Sequence, residues 1–229
     1  MRISRYIFIS SMLLLLAATA VAQENKAVNT SKPWEFKGVS VSADLFGTIG
    51  RIMNDFTSYE VAVSANFGNR FFPVVEVGHG STDTTDETTR IYYKSSAPYF
   101  RVGLDYNFLY KKGGELSNYK IIGLVRYGQT TAKYDVTTPP MTDPVWGNTT
   151  SLTLTDVEAD CSWLEFGVGV QVKVWKNLHM GWSLRYKSRL KDGKGDSSQA
   201  WYIPGYGENK SGSFGGTYNI IYNIPLSRK

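Results

Sequence analysis

Leu164-Glu165-Phe166-Gly167-Val168-Gly169-Val170-Gln171-Val172-Lys173-Val174 is the stretch that decides the fold of this chain. Apolar residues occupy every second position, and glutamate, glycine, glutamine or lysine occupies the positions between them. Because side chains of a β-strand point alternately to opposite faces, this period of two predicts a strand with one apolar and one polar face. Its length suits the tilted strands of membrane barrels, which need about 9–11 residues to cross a bilayer.

The same alternation recurs along the chain from Gly38 onward, in segments of similar length. The third segment is short and the fifth is ambiguous in register, where we place Arg126 on the polar face. Together with the stretch above, these segments predict an all-β fold: a closed antiparallel up-and-down β-barrel of about eight transmembrane strands. Closure matters because an unpaired backbone edge is costly in lipid. The seven further segments are centred on Val41, Val63, Val75, Leu104, Val125, Trp182 and Ile220.

The links between segments alternate in length. Those after the second, fourth and sixth segments are short, and Gly68-Asn69 and Gly113-Gly114 supply residues that tight hairpins favour. Those after the third, fifth and seventh are long, covering about 80–97, 129–162 and 188–213. Outer-membrane barrels have short periplasmic turns and longer extracellular loops, so the alternation favours a membrane barrel over a soluble sandwich.

The N-terminus has the layout of a secretory signal peptide. Arg2 and Arg5 precede an apolar run, and Ala20-Val21-Ala22 forms a small-residue cleavage site. We therefore predict a signal peptide at 1–22, a flexible periplasmic lead-in at 23–37 and an outer-membrane β-barrel at 38–229. Removal of two arginines lowers the net charge from +5 to +3, which is too mild to predict nucleic-acid binding.

Charges in the middle of the segments lie almost entirely on the polar face. If the apolar face contacts lipid, this polar face lines the lumen, since a charge facing lipid near the midplane would cost about 2–4 kcal/mol. An eight-stranded interior has room only for side chains, so we predict a plugged, charge-paired structural network; an ion or proton path is the alternative. Its predicted members are Asp44, Glu60, Glu76, Arg101, Asp105, Arg126, Glu165, Lys173, Arg185 and Lys187.

The sequence gives little indication of catalysis. The two histidines, His79 and His179, are expected at opposite ends of the barrel, where they cannot share a metal ion or a catalytic dyad. The single Cys161 is expected to be a partly buried thiol. No phosphate loop, metal-ligand spacing or haem motif occurs, so no cofactor, metal site or enzymatic activity is predicted. A surface-rim hydrolase built around His79 stays open as an alternative.

Three classes of function fit these features. The first is an integral outer-membrane barrel with a structural or surface-interaction role in adhesion or the envelope. The second is an exported soluble barrel that binds an apolar ligand, as lipocalins do, with its apolar face inside. The third is an outer-membrane enzyme acting on lipid or peptide. Any extracellular partner is expected at the long loops, including Trp201, Tyr202 and Tyr206.

Three stretches carry a family resemblance: 59–67, Phe72-Pro73-Val74-Val75-Glu76-Val77-Gly78, and 100–107. They resemble an uncharacterised family of small outer-membrane barrels from Bacteroidetes, a domain of unknown function, and the overall plan is similar to OmpA/OmpX-type barrels. The resemblance implies an eight-stranded barrel in outer-membrane lipid and implies no activity. Such barrels usually end on an aromatic residue read by the barrel-assembly machinery; here Tyr222 or Leu226 is expected to serve instead.

Overall fold

The computed structural model describes residues 34–47, 56–110, 117–142, 144–190 and 200–226. The predicted signal peptide, most of the lead-in, Gly113-Gly114 and the last three residues lie outside this part. Within it, the strands are β1 (Phe36–Asp44), β2 (Phe56–Phe67), β3 (Phe71–Thr85), β4 (Tyr92–Asn107), β5 (Tyr119–Thr137), β6 (Met141–Thr142), β7 (Thr149–Thr150), β8 (Thr153–Trp175), β9 (Leu178–Arg189), β10 (Tyr202–Ile203), β11 (Gly207–Glu208) and β12 (Gly212–Pro225).

Eight of these described strands form one closed barrel, in the order β1-β2-β3-β4-β5-β8-β9-β12. Every neighbouring pair is antiparallel, and β1 closes the ring on β12 through a register that runs from Gly38 opposite Pro225 to Asp44 opposite Asn219. The predicted all-β, closed, up-and-down architecture of eight strands is confirmed. Strand β1 begins at Phe36, slightly before the predicted start at Gly38.

Two short hairpins are not hydrogen-bonded into the ring. Strands β6 and β7 pair between β5 and β8, and β10 pairs with β11 between β9 and β12. The turn of Gly68 and Asn69, which both adopt positive φ angles, joins β2 to β3 as a tight hairpin. We call the end of the barrel with this turn the turn end, and the opposite end the plug end. No helix in the described part is long and apolar enough to span a membrane.

Two of the links at the plug end are shorter than the sequence predicted. Strands β3 and β4 continue to Thr85 and Tyr92, β5 and β8 continue to Thr137 and Thr153, and β9 and β12 meet near Arg189 and Gly212. These added strand segments are rich in threonine and tyrosine, residues that favour strands even where neither face is apolar. The prediction was wrong for 80–97 and for part of 129–162, because hydrophobic alternation ends before the strands do. The link between β9 and β12 is long, as predicted.

The outer face carries a continuous band of exposed apolar side chains. Val75, Val77, Val125 and Val168 are each about half exposed, although they lie on the central stretch of their strands. The ten steps from Leu164 to Val174, at about 3.3 Å each and tilted by about 40°, give this band a height of about 25 Å. We call it the apolar band.

Beyond the apolar band, at the plug end, the outer face turns polar at one common level. Directly above the paired Val77 and Phe100, the next outward pairs are His79 with Pro98, Ser81 with Ser96, and Asp83 with Lys94. Strands β5 and β8 change at the matching height. We call this polar extension the wall; its outward side chains on the two strands include Gln129, Thr131, Lys133, Glu158, Asp160 and Ser162.

Candidate functional site: a charged and plugged lumen

The centre of the lumen is a network of buried ion pairs organised by Glu76. Its carboxylate lies 2.8 Å from Arg101 Nε, 3.0 Å from Arg126 Nε and 3.1 Å from Arg185 Nη1. Both Arg126 and Arg185 donate hydrogen bonds to it. Four residues from four different strands are therefore bound to one another across the barrel axis.

A second carboxylate, Glu165, completes the cross-link. Its Oε1 accepts hydrogen bonds from Arg101 Nη1 at 3.0 Å and from the indole Nε1 of Trp163 at 2.7 Å, and its Oε2 accepts one from Arg185 at 3.3 Å. Glu165 has no solvent exposure. Because both carboxylate oxygens meet donors, this buried charge is compensated by charge and by hydrogen bonds.

Two further carboxylates extend the network towards the ends of the barrel. Glu60 forms an ion pair with Arg101 and accepts a 2.9 Å hydrogen bond from the Tyr99 hydroxyl, towards the plug end. Asp105 lies 2.7 Å from Arg126 Nη1, towards the turn end. The network therefore spans the central part of the lumen along the barrel axis as well as across it.

Strand register and glycine create the room for these arginines. Gly103 lies opposite Arg126, and a Cβ at Gly103 would lie 2.0 Å from the Val125 carbonyl oxygen and 2.6 Å from Arg126 Cδ. Gly167 lies opposite Arg185, where a Cβ would lie 2.3 Å from the Leu184 carbonyl oxygen. Gly103 therefore leaves room for the Arg126 side chain, and Gly167 allows the backbone of β9 to approach closely at Arg185.

Seven of the ten predicted lumen charges meet in this network, and three lie elsewhere. Lys187 donates to backbone carbonyls of the plug described below. Asp44 accepts backbone hydrogen bonds from Phe46, Gly47 and Tyr218. Lys173 is exposed beside a β-bulge at the turn end. The seven are Glu60, Glu76, Arg101, Asp105, Arg126, Glu165 and Arg185.

Sequence reasoning missed one inward charge, Lys120. It is 3% exposed, and its Nζ lies 4.6 Å from the centre of the Phe72 ring. Its position near the start of β5 made it look like a charge at a strand end. The sequence did indicate its orientation. Lys120 and Arg126 are an even number of residues apart on one strand, and Arg126 was placed on the polar face.

The plug end of the lumen is filled by the segment that contains β10 and β11. We call residues 200–208 the plug. Ile203 and Tyr206 are completely or almost completely buried, and a hydrophobic cluster surrounds them inside the barrel. The plug packs on the wall's inner face through Tyr93, Tyr99, Tyr134, Ala159, Cys161 and Trp163.

Polar contacts hold the plug in place. Lys187 Nζ donates to the carbonyl oxygens of Gly205 at 2.7 Å and Tyr206 at 3.1 Å, and the Tyr93 hydroxyl donates to the Tyr202 carbonyl at 2.8 Å. Burial raises the pKa of Tyr202 to about 12. The expectation that Tyr202 and Tyr206 form an accessible surface was wrong, because both side chains fill the barrel mouth; Trp201 is half exposed.

The residues considered for catalysis, His79, His179 and Cys161, do not form a catalytic arrangement with one another. His79 points outward on β3, and its Nε2 lies 3.3 Å from Ser96 Oγ in an exposed pair. His179 is buried at the turn end, with its Nδ1 2.9 Å from the Asn223 amide. The Cys161 side chain is fully buried rather than partly buried. In the part of the chain that the structure describes, no cluster of histidine, cysteine and acidic residues could hold a metal ion.

Comparison with solved structures gives distant likenesses. Neisserial surface protein A has 10% identity and a TM-score of 0.45, over 82% of this chain and 96% of that one. Ail, the attachment invasion locus protein of Yersinia pestis, has 11% identity and a TM-score of 0.38, over 82% and 97%. A major outer membrane protein from Thermus thermophilus has 13% identity and a TM-score of 0.46, over 82% and 98%. These likenesses are too distant to carry function across.

Comparison with curated proteins finds no match. The predicted membership of an uncharacterised family is confirmed, whereas the Bacteroidetes source stays a prediction. A family model described as "Domain of unknown function (DUF6048)" matches residues 3–229, and the chain belongs to that family.

Proposed function

We propose that this protein is an integral barrel of the bacterial outer membrane whose lumen is closed, and that it acts in the envelope as a structural or surface-contact protein. The apolar band carries the proposal. It surrounds the barrel and extends about 25 Å along the barrel axis, which is the thickness that membrane barrels present to hydrocarbon. The ion pairs lie inside the barrel.

An apolar band of this extent is costly in water. Soluble monomers rarely expose contiguous apolar patches larger than a few hundred Å², and this band surrounds the whole circumference. The arrangement is also the reverse of a lipocalin-like carrier, in which apolar side chains line the interior around a ligand. Contact with lipid removes the cost, so the orientation of the side chains favours a membrane barrel over a soluble one.

Aromatic side chains at the turn end support an interfacial position for that end. Trp34 stacks on Phe71 with ring centres 5.0 Å apart. The Arg70 guanidinium lies 4.9 Å from the Phe71 ring centre, 5.3 Å from Tyr106 and 5.6 Å from Tyr110. Amphipathic rings and cations prefer the headgroup level. Because short turns of such barrels face the periplasm, we assign the turn end to the periplasmic side.

The filled lumen supports a role without conduction. The central ion pairs connect strands on opposite sides of the barrel. The plug covers these ion pairs on the side of the plug end. With neither an open pore nor a catalytic constellation among the described residues, the accessible surface at the plug end is the wall and the β6–β7 hairpin. The hairpin exposes Val145 and Trp146 to solvent, which makes its tip the proposed contact for an extracellular partner.

The membrane proposal is tested by fractionation and by gel migration. Cells that make the protein are separated into soluble periplasm and outer membrane, and detergent extracts are run on SDS gels with and without boiling. We expect the protein in the outer membrane, with a different migration before boiling because the closed barrel resists SDS. An unshifted band in the soluble periplasm would overturn the proposal and favour the carrier of an apolar ligand.

Surface contact is tested on whole cells. Trp146→Ser at the hairpin tip should lower the attachment of cells to a surface or to each other, while its gel shift stays that of the unaltered barrel. Leu190→Ser, at an exposed position outside the hairpin, is the control and should leave attachment unchanged. Equal attachment for all three proteins would contradict a contact role for the tip and leave a structural role.

A further inference from the structure

Between the central network and the turn end, the lumen contains a small polar cavity of about 50 Å³. Hydroxyl and amide groups line part of it, among them those of Ser42, Ser64 and Gln171. The Lys120 side chain also lines it, as do four charged residues of the central network, Glu76, Asp105, Arg126 and Arg185. A single water needs about 10–15 Å³ on this measure. The space therefore suits a few waters or one small ion, and it is too small for an organic ligand.

Lys120 is a buried cation of the lumen that makes no direct ion pair among the described residues; Asp105, on the same cavity, interacts with it from beyond ion-pair distance. Each of the four buried carboxylates of the network is paired with arginine, and Lys187 donates to carbonyl oxygens of the plug. Among the described residues, no carboxylate lies within ion-pair distance of Lys120 Nζ; its recorded contact is with the face of the Phe72 ring.

An ammonium in this position needs an acceptor. A lysine ammonium has three donors and no acceptor, and a buried charge without compensation is unfavourable by several kcal/mol in general. The side chains around the cavity add donors: the Ser42 and Ser64 hydroxyls, which can rotate to donate, and the Gln171 amide. Three cations, Lys120, Arg126 and Arg185, and two carboxylates, Glu76 and Asp105, line the cavity, and the surplus of one positive charge favours a bound anion.

We propose that this cavity binds one small monovalent inorganic anion of the halide class, held by the Lys120 ammonium and by the surrounding hydroxyl and amide donors. The anion supplies the missing partner of Lys120. The proposed site adjoins the central network, whose Glu76, Asp105, Arg126 and Arg185 line the same cavity.

The turn end is the side from which we propose that the anion enters. A second cavity of about 260 Å³ lies there, lined by Lys37, Asn66, Asn69 and Asn223, and Ser40 lines both cavities. In the opposite direction, Arg126 and Arg185 of the central network close the space, and the plug lies beyond them. We therefore propose that the anion is bound and released from the turn end.

The test locates bromide in crystals of the purified barrel and measures thermal stability in chloride. We expect an anomalous bromide peak in the cavity of the unaltered protein and none in Lys120→Met. We also expect Tm to rise by about 2–4 °C when chloride replaces gluconate, an anion too large for the cavity, at equal ionic strength. This rise should be absent in Lys120→Met and retained in Lys173→Met, whose lysine is exposed.

Two results would overturn the proposal. The first is an unaltered protein whose cavity holds only water in bromide-soaked crystals. The second is a chloride-dependent rise in Tm of equal size in the unaltered protein and in Lys120→Met, because that rise would come from surface charges. Neither result depends on whether Lys120→Met is itself more or less stable, since each compares two salts within one protein.

Discussion

At Glu76, one carboxylate lies within ion-pair distance of three guanidinium groups. Its loss would leave three buried cations with fewer acceptors, and the cost of breaking a buried pair comes mainly from the charge that stays behind. Glu76 is therefore the residue whose chemistry matters most to the lumen, even though it touches no ligand.

We predict that Glu76→Gln lowers the free energy of unfolding by about 3–5 kcal/mol, because the amide keeps the shape and removes the charge. Urea unfolding of the barrel in detergent measures the loss. Glu158→Gln, on the outer face of the wall, is the control and should change the free energy by about 0.5 kcal/mol or less. Similar effects of the two substitutions would contradict a central role for Glu76.

The outer face of β5 offers a matched pair of positions at different heights. Val125 lies in the apolar band, and Thr131 lies on the same face in the wall. Val125→Arg should lower barrel stability in lipid vesicles by about 2–4 kcal/mol, and Thr131→Arg by about 0–1 kcal/mol. Equal costs in an unfolding titration would show that the two heights have the same surroundings.

The face of the strand on which each residue lies was the most predictable property of this chain. The period of two placed the carboxylates and arginines of the network on one face, and the structure brings seven of them together. It could not locate Lys173, because a β-bulge between Lys173 and Trp175 shifts the register there. Nor could it separate Asp44 from the network, since that requires knowing that Tyr218 donates to it.

Among the elements, the plug was the least predictable. Trp201, Tyr202 and Tyr206 are amphipathic, so their sequence does not show whether the segment that contains them folds into the barrel or faces solvent. The plug folds inward because the barrel mouth above the ion pairs is lined by Tyr93, Tyr99 and Trp163. That lining forms only when strands that are far apart in the sequence have closed into a ring, so no local sequence pattern could predict it.

Lys187 anchors the plug from β9. Lys187→Met should remove both hydrogen bonds to the carbonyl oxygens of Gly205 and Tyr206, each worth about 1.5–3 kcal/mol for a charged donor. We expect backbone hydrogen exchange in the plug to become at least about tenfold faster, with the barrel strands unchanged. Lys133→Met removes an exposed lysine of the wall and is the control; exchange as slow in Lys187→Met as in this control would refute the anchoring role.

The plug should weaken in alkali. Burial raises the pKa of Tyr202 from 10.0 to about 12, so the folded plug retains a proton that the open plug releases. Its stability is therefore full below about pH 10 and falls as the pH rises towards 12.

Absorbance at 295 nm follows this ionisation. Compared with the unaltered protein, Tyr202→Phe should lack one tyrosine that titrates near pH 12. If the missing tyrosine instead titrates near its ordinary value of 10.0, Tyr202 is not shielded from solvent as the plug requires.

The whole molecule combines three levels along one axis: a turn end with aromatic rings, the apolar band around the ion pairs, and the wall around the plug. Fold class, strand number and the assignment of faces followed from alternation, because an apolar outer face and a polar lumen require opposite polarities of successive residues. The height of the wall did not follow, since strands such as β5 continue where both faces meet polar surroundings and the alternation disappears.

The most direct test measures what surrounds the apolar band. Nitroxide labels are placed singly at Val168→Cys and Lys133→Cys in a Cys161→Ala background, and the barrel is reconstituted in lipid vesicles. Collision with dissolved oxygen, which concentrates in lipid, is compared with collision with a water-soluble nickel complex. We predict that oxygen reaches the label at 168 and the nickel complex does not, whereas the nickel complex reaches the label at 133. Equal nickel access at both positions would contradict the central claim that lipid surrounds the apolar band.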